Sequence, residues 1–237
     1  MKAIKEIKEV EDTNLYIEGQ EYFKQDVLDY IEEMVDMKIS NGEDTKIKYL
    51  PMIMKDIFKS MKDSLEEKEV LVICDDKEKS KKIIKGISKD AVFITAIGCN
   101  KDEQEEIYDY ILEEVGLSLF YPSNINRVLE NYSLIINFTD NIKYDFSRTR
   151  RNCVFFDFGF GNNIGNRKRF PIIKDIGFSL KDLGLNETKW LDKVVKASVR
   201  EALEEKNGQS KVYLYIDNDY YLIKDYINLF IKVKGHF

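Results

Sequence analysis

The central part of the chain alternates between short apolar runs and amphipathic segments. Residues 69–75, EVLVICD, form a β-branched run bounded by charge, which is typical of a strand buried on both faces of a parallel sheet. The segments that follow predict a helix over 77–87, a strand over 91–97, a helix over 102–115, a strand over 117–121, a short helix over 124–131, and strands over 133–138 and 153–158. This alternation indicates a parallel sheet with right-handed crossovers.

The two ends of the chain have helical patterns. Apolar residues at three- and four-residue steps predict an amphipathic helix over 20–38, before the break Ser40-Asn41-Gly42. A second helix is predicted from Pro51 to about residue 63, because proline suits a first helical turn. Beyond the sheet, the pattern predicts a helix over 186–205, a strand over 211–216 and a helix over 219–234 that ends at Gly235. We therefore expect a small helical layer over 1–66 and a main α/β domain over 67–237.

Composition narrows the class of protein. With 43% apolar and 34% charged residues in 237, the chain has the make-up of a folded protein rather than a disordered one. The net charge of −6 disfavours nucleic acid and anionic lipid as partners, and no apolar stretch approaches the roughly 18 residues of a membrane span. Cys74, Cys99 and Cys153 form no CxxC pair and suit buried thiols in a reducing compartment. We expect a soluble, cytoplasmic protein.

Candidate chemistry lies at the carboxyl ends of the predicted strands, where open parallel sheets bind their ligands. Asp75 and Asp76 follow the first strand, at the place where a dinucleotide-binding protein has a GxGxxG turn, and none of those glycines is present. Carboxylates are favourable at a helix N-terminus, so we expect the two residues to cap the next helix rather than to form a metal or catalytic pair. No metal site is predicted.

Segments of the chain resemble a known cofactor domain. Asn100-Lys101 after the second strand, residues 129–141 (LENYSLIINFTDN) and the strand VFFDFGF resemble the cofactor-binding domain of shikimate dehydrogenase and glutamyl-tRNA reductase, an NAD(P)-dependent Rossmann family. The resemblance implies NAD(P) as the cofactor, with Asn100 and Lys101 at the adenosine ribose or its phosphate. It also implies Asn137 and Thr139 beside the nicotinamide ribose, and Asp157 as the strand-end acid. No catalytic residue of that family maps onto this sequence, so the catalytic residues are unknown.

Further candidates lie after the last strand of the predicted sheet. Gly159, Gly161 and Gly165, followed by Arg167-Lys168-Arg169, would offer backbone N–H groups and cations to a phosphate or carboxylate; the alternative is a turn with solvated charges. Arg148, Arg150 and Arg151 precede that strand, and we expect a solvated loop there. The only histidine, His236, is too close to the end to suggest catalysis. Aromatic residues of the last helix leave a homodimer open.

These patterns together predict an α/β fold: a doubly wound, mostly parallel Rossmann-like sheet with a small helical N-terminal layer and a C-terminal strand-helix extension. A retained sheet with a lost phosphate loop favours a non-catalytic or weakly nucleotide-binding interaction module. Two alternatives stay open: an active NAD(P)-dependent oxidoreductase with an altered phosphate loop, and a binder of a phosphate-bearing metabolite. A protein partner also stays open.

Overall fold

The computed structural model describes residues 13–140, 144–159, 171–186, 192–203 and 210–231. The contacts of the chain group into two compact units, one formed by Met1–Lys46 with Gly177–Lys211 and the other by Ile47–Ile176 with Val212–Phe237. The predicted boundary at residue 66 falls inside the second unit, and its role as a domain boundary stays a prediction. Among the described residues, no helix has both the length and the apolar character that a bilayer span requires.

The described chain contains six α-helices and eleven strands, together with short turns of 3-10 helix. The helices are α1 (Gln25–Val35), α2 (Glu43–Met61), α3 (Lys77–Ile87), α4 (Lys101–Val115), α5 (Ala197–Ala202) and α6 (Ile223–Tyr226). The strands are β1 (Asn14–Leu15), β2 (Lys38–Ile39), β3 (Glu69–Cys74), β4 (Phe93–Gly98), β5 (Leu134–Asn137), β6 (Val154–Asp157), β7 (Ile172–Ile173), β8 (Asp175–Ser179), β9 (Val194–Lys196), β10 (Val212–Ile216) and β11 (Asp219–Leu222).

The second unit is built on a five-stranded sheet in the order β4-β3-β5-β6-β7, with every pair parallel. At the outer edge of β4, Phe120 forms a single parallel bridge with Thr95. If that bridge is counted as a rudimentary third strand, the order becomes the 3-2-1-4-5-6 of doubly wound dinucleotide-binding sheets. The predicted fold class is confirmed: this is a Rossmann-like α/β protein.

Both faces of the sheet are buried, as the continuous apolar runs predict. On one face, Leu71 and Ile73 of β3 pack with Ile135 of β5 and Phe155 of β6 in one core cluster. On the other, α3 contacts β3 and buries its predicted apolar stripe, which includes Ile83, Ile84 and Ile87. Each such side chain contributes about 1.5–3 kcal/mol by leaving water, so the sheet and its helices form together.

Two predicted elements beside this sheet are shorter than expected. The strand predicted over 117–121 is reduced to the bridge at Phe120. The helix predicted over 124–131 is instead two 3-10 turns, Ile125–Arg127 and Leu129–Asn131. The side chain of Asn124 accepts a hydrogen bond from the N–H of Asn126, which closes a local turn and competes with a regular helical start.

Helix α2 begins eight residues before the predicted start at Pro51, which lies in its interior. Its first N–H groups have acceptors: the Asn41 side chain accepts from the N–H of Glu43, and the Glu201 carboxylate accepts from that of Thr45. These caps satisfy donors that would otherwise lack partners, and burial of the apolar residues Leu50, Ile53, Met54, Ile57 and Phe58 outweighs the missing N–H of the proline.

The helix predicted over 186–205 was wrong over much of its described part. Residues 194–196 form β9, which pairs antiparallel with β8 through Val195 and Phe178, and only 197–202 are helical, as α5. Val195 and Val199 are both buried at a helical spacing of four, which misled the pattern, whereas the paired β-branched valines prefer a strand. Trp190, assigned to that helix, lies outside the described residues.

The helix predicted over 219–234 was wrong at its beginning. Residues 219–222 form β11, which pairs antiparallel with β10, and the helix starts only at Ile223. Asp217 and Asn218 connect the two strands, and both have positive φ, 49° and 70°. Two successive residues of this type in a two-residue connection match the mirror-image turns that hairpins prefer. The predicted end of the helix at Gly235 lies outside the described residues.

Candidate functional site

The carboxyl ends of β3, β4, β5 and β6 form the edge at which sequence reasoning predicted a ligand. The turn between β3 and α3 contains only two residues, Asp75 and Asp76. Asp76 is the N-cap of α3: its Oδ1 accepts a hydrogen bond from the N–H of Lys79 at 2.7 Å. The expected capping by Asp76 is therefore confirmed, and a carboxylate lies at the helix end where related folds bind pyrophosphate.

Asp75 belongs to a hydrogen-bond network that joins three neighbouring strands. The Thr139 hydroxyl, beyond the end of β5, donates to Oδ2 of Asp75 at 2.6 Å, across the point where the strand order reverses. Asn137 at the end of β5 donates from Nδ2 to Oδ1 of Asp157 at 2.8 Å and to the carbonyl of Thr139 at 2.9 Å. The structure thus brings four of the predicted site residues together and directs their polar groups at one another.

Asp157 is the most buried carboxyl of this edge, with 5% of its surface exposed. Burial raises the pKa of Asp157, while the hydrogen bond from Asn137 and the nearby charge of Lys174 oppose that rise. Asp140 adds a second negative charge, which also raises the pKa. Since a raised pKa marks a carboxylate that is costly to ionise in place, further negative charge is disfavoured here.

Two glycines let neighbouring strand ends approach closely. A Cβ on Gly98, whose φ is +121°, would lie 2.2 Å from the carbonyl oxygen of Cys74. A Cβ on Gly159 would lie 2.7 Å from both the carbonyl oxygen of Thr139 and Oδ1 of Asp140. Gly159 is therefore placed at the edge as predicted, but its bare backbone faces another loop of the protein. Gly161 and residues 165–169 lie outside the described residues.

Asn100 and Lys101 lie after β4, at the same edge, and they are engaged differently from the resemblance. Asn100 is the N-cap of α4, and it forms a reciprocal capping box with Glu103. The Asn100 side chain accepts from the N–H of Glu103 at 3.0 Å, so its oxygen has a structural partner. The structure records no hydrogen bond between these two residues and the Asp75–Asp157 network among the described residues.

Sequence reasoning missed a cluster of thiols beside this edge. The Cys99 thiol donates to the carbonyl of Cys74 at 3.4 Å and lies 3.8 Å from the Ser80 hydroxyl. Burial raises the pKa of both Cys74 and Cys99, so neither thiol is activated as a nucleophile. Ser80 shares the buried face of α3 with Ile83 and Ile84, and its i, i+3, i+4 spacing from them was the available sequence signal.

The site residues themselves limit the chemistry of this edge. Within the described ranges, no group of three histidine, cysteine, aspartate or glutamate side chains has the arrangement of a metal site. The only histidine, His236, lies outside those ranges. The edge offers amide, hydroxyl and carboxylate groups that already bond to one another.

Three comparisons relate the chain to known proteins. No family model and no curated protein matches it. Among solved structures, it is similar to the nucleotide-binding domain of glutamyl-tRNA reductase from Thermoplasma volcanium, with 20% identity, a TM-score of 0.37, and coverage of 52% of this chain and 83% of that one. It is also similar to shikimate dehydrogenase from Aquifex aeolicus, with 14% identity, a TM-score of 0.34, and coverage of 51% of this chain and 42% of that one.

A third similar structure is that of a dipicolinate synthase from Bacillus halodurans, with 12% identity, a TM-score of 0.38, and coverage of 66% of this chain and 54% of that one. The first two are the proteins that the sequence resembles, so that resemblance is confirmed at the level of structure. Identities of 20% or less and TM-scores below 0.4 carry no argument about activity, and the fold assignment rests on the strand order.

Proposed function

We propose that this chain is a Rossmann-like interaction module that does not bind a dinucleotide at its switch point and acts by binding a partner rather than by hydride transfer. The observation that carries the proposal is the two-residue turn after β3. Asp76 caps the helix end at which the pyrophosphate would bind, and Asp75 is hydrogen-bonded to Thr139 across the crevice.

Electrostatics supports the same conclusion. A pyrophosphate placed at the N-terminus of α3 would lie beside the carboxylates of Asp75 and Asp76. Two like charges about 4 Å apart repel by about 1 kcal/mol in water and about 4 kcal/mol at an effective dielectric constant near 20. Both aspartates are exposed, so the lower figure is the safer one, but it applies to each close pair. A glycine turn in the same place would instead present backbone N–H groups to the anion.

The residues that the resemblance assigns to the cofactor also have internal partners. Asn137 bonds to Asp157, Thr139 bonds to Asp75, and Asn100 caps α4. A dinucleotide would have to break these bonds before it could use the same groups, and each broken bond costs about 1 kcal/mol or more. The three free, buried cysteines support the expectation of a reducing, cytoplasmic setting.

The test is binding of NAD, NADP, their reduced forms, ATP and inorganic phosphate, measured by thermal shift and by calorimetry on the full chain. A ligand at one hundred times its Kd stabilises the folded state by about 2.7 kcal/mol, which a thermal shift detects easily. We expect no shift with any dinucleotide at millimolar concentration. A saturable shift with NAD or NADP would refute the proposal and favour the oxidoreductase alternative.

A matched pair of variants locates any binding that is found. Lys101→Ala removes a cation that the resemblance assigns to the cofactor, and Lys89→Ala removes an exposed cation in the turn after α3. A dinucleotide bound in the predicted crevice would be weakened by the first change alone. A shift with inorganic phosphate and with no dinucleotide would instead favour the metabolite-binding alternative.

A further inference from the structure

Four arginines lie at the other end of the central sheet, before the amino ends of β5 and β6. Arg127 closes the 3-10 turn Ile125–Arg127, Arg148 closes the turn Phe146–Arg148, and Arg150 and Arg151 precede β6. All four are exposed. We name these four residues the arginine surface.

Hydrogen bonds to backbone and hydroxyl groups hold this surface together. Nη1 of Arg148 donates to the carbonyl of Asn126 at 3.4 Å, which places Arg148 beside the turn that contains Arg127. Arg150 donates from Nε to the carbonyl of Glu130 at 2.5 Å and from Nη1 to the Ser133 hydroxyl at 3.2 Å. The segments that carry the arginines are therefore tied into one surface rather than spread over independent loops.

The charge of this surface is not neutralised by its described neighbours. Ion pairs elsewhere in the second unit join lysines to carboxylates, as in Lys77–Glu106 and Lys85–Glu114. Within the described residues, no arginine of the surface forms an ion pair, and neither does the carboxylate of Glu130, whose backbone Arg150 contacts. A chain with a net charge of −6 thus concentrates unneutralised guanidinium groups at one end of its sheet.

We propose that the arginine surface binds a carboxylate-rich segment of a partner protein. Guanidinium groups bind carboxylates through paired, charge-assisted hydrogen bonds, and Arg127 and Arg151 have no side-chain partner of their own among the described residues. The negative net charge repels a long polyanion such as RNA outside the range of direct contact. The aromatic residues beside the surface, Tyr132 and Phe146, are buried, so they offer no platform on which bases could stack.

The test is the binding of a fluorescein-labelled poly-glutamate peptide to the full chain, followed by fluorescence anisotropy at low salt. The test variant combines Arg127→Glu with Arg151→Glu, because in the described part of the chain neither side chain has a structural contact to lose. The matched control combines Lys59→Glu with Lys89→Glu, two exposed lysines outside the surface, and makes the same change in net charge. Urea unfolding of both variants checks that they fold like the unaltered chain.

We expect saturable binding by the unaltered chain, a Kd raised about 30-fold in the arginine variant, equivalent to about 2 kcal/mol, and little change in the control. Absence of saturable binding, or an equal loss in both variants, would overturn the proposal. Tighter binding of a single-stranded RNA of equal charge would overturn it in favour of nucleic acid. The proposal adds a partner to the interaction function above, and the failures are distinguishable, since dinucleotide binding would refute that function without affecting the arginine surface.

Discussion

Replacing Gly98 by alanine tests how closely the strand ends at the candidate site approach one another. Gly98 is the last residue of β4 and lies beside Cys74 of β3 in the parallel ladder. An added Cβ would lie 2.2 Å from the carbonyl oxygen of Cys74, 2.6 Å from its carbonyl carbon and 3.1 Å from the nitrogen of Asp75. All three atoms belong to the backbone, so no flexible side chain can move aside.

The expected cost has two parts. A positive φ costs an alanine about 1–2 kcal/mol relative to glycine. Forcing the backbones of β3 and β4 apart inside a packed sheet adds about 1–3 kcal/mol, as other overpacked sites do. We therefore expect Gly98→Ala to lower the free energy of unfolding by about 2–5 kcal/mol.

Gly116→Ala is the matched control. Gly116 ends α4 with a φ of +75°, and an added Cβ would have nothing within 4 Å. This variant therefore carries the conformational cost without the collision, about 1–2 kcal/mol. Urea unfolding monitored by far-ultraviolet circular dichroism measures both variants, provided that the m-value stays unchanged. Equal destabilisation by the two substitutions would refute the close approach.

Three further predictions concern the same region. Asp76→Ala should lower stability by about 1 kcal/mol through loss of the α3 cap, whereas Asp76→Asn should be nearly neutral; equal losses would contradict the capping role. Because burial raises the pKa of Asp157, its ionisation opposes folding from the unfolded pKa, about 3.9, upward, and fully above the folded pKa. Asp157→Asn should therefore gain stability over the unaltered chain as the pH rises from acid to neutral in urea titrations, and a loss would contradict this. Finally, fewer than one of the three buried cysteines should react with a thiol reagent in the folded protein, and all should react in urea.

The central sheet could be predicted because its signals are local and strong. The β-branched run of β3 and the amphipathic stripe of α3 each specify one element, and α3 has the predicted bounds 77–87. The strand order followed from the alternation of strands and helices, since parallel strands need crossovers.

The elements that were predicted wrongly depended on contacts that sequence spacing does not reveal. The start of α2 relies on Glu201, which is 156 residues from Thr45. Strand β9 exists because β8 supplies a partner for its valines. The hairpin at Asp217 and Asn218 is a different case, because its turn residues were visible in the sequence and were overlooked.

The candidate site was predicted by position but not by pairing. The rule about carboxyl ends of strands placed Asp75, Asn137, Thr139 and Asp157 at one edge. No pattern could indicate that the Thr139 hydroxyl reaches Asp75 or that the Asn137 amide reaches Asp157, since these contacts depend on the relative positions of neighbouring strands.

The network at this edge also determines how slowly the edge can open. Backbone bonds from the N–H of Phe138 to the carbonyl of Ile73, and from that of Phe158 to Asn137, run beside the side-chain bonds that join the same strands. Exposing either amide to solvent would break the backbone and side-chain bonds together, at a free energy close to that of global unfolding. In hydrogen exchange, the amides of Phe138 and Phe158 should therefore be among the slowest in the chain, so that this edge belongs kinetically to the stable core.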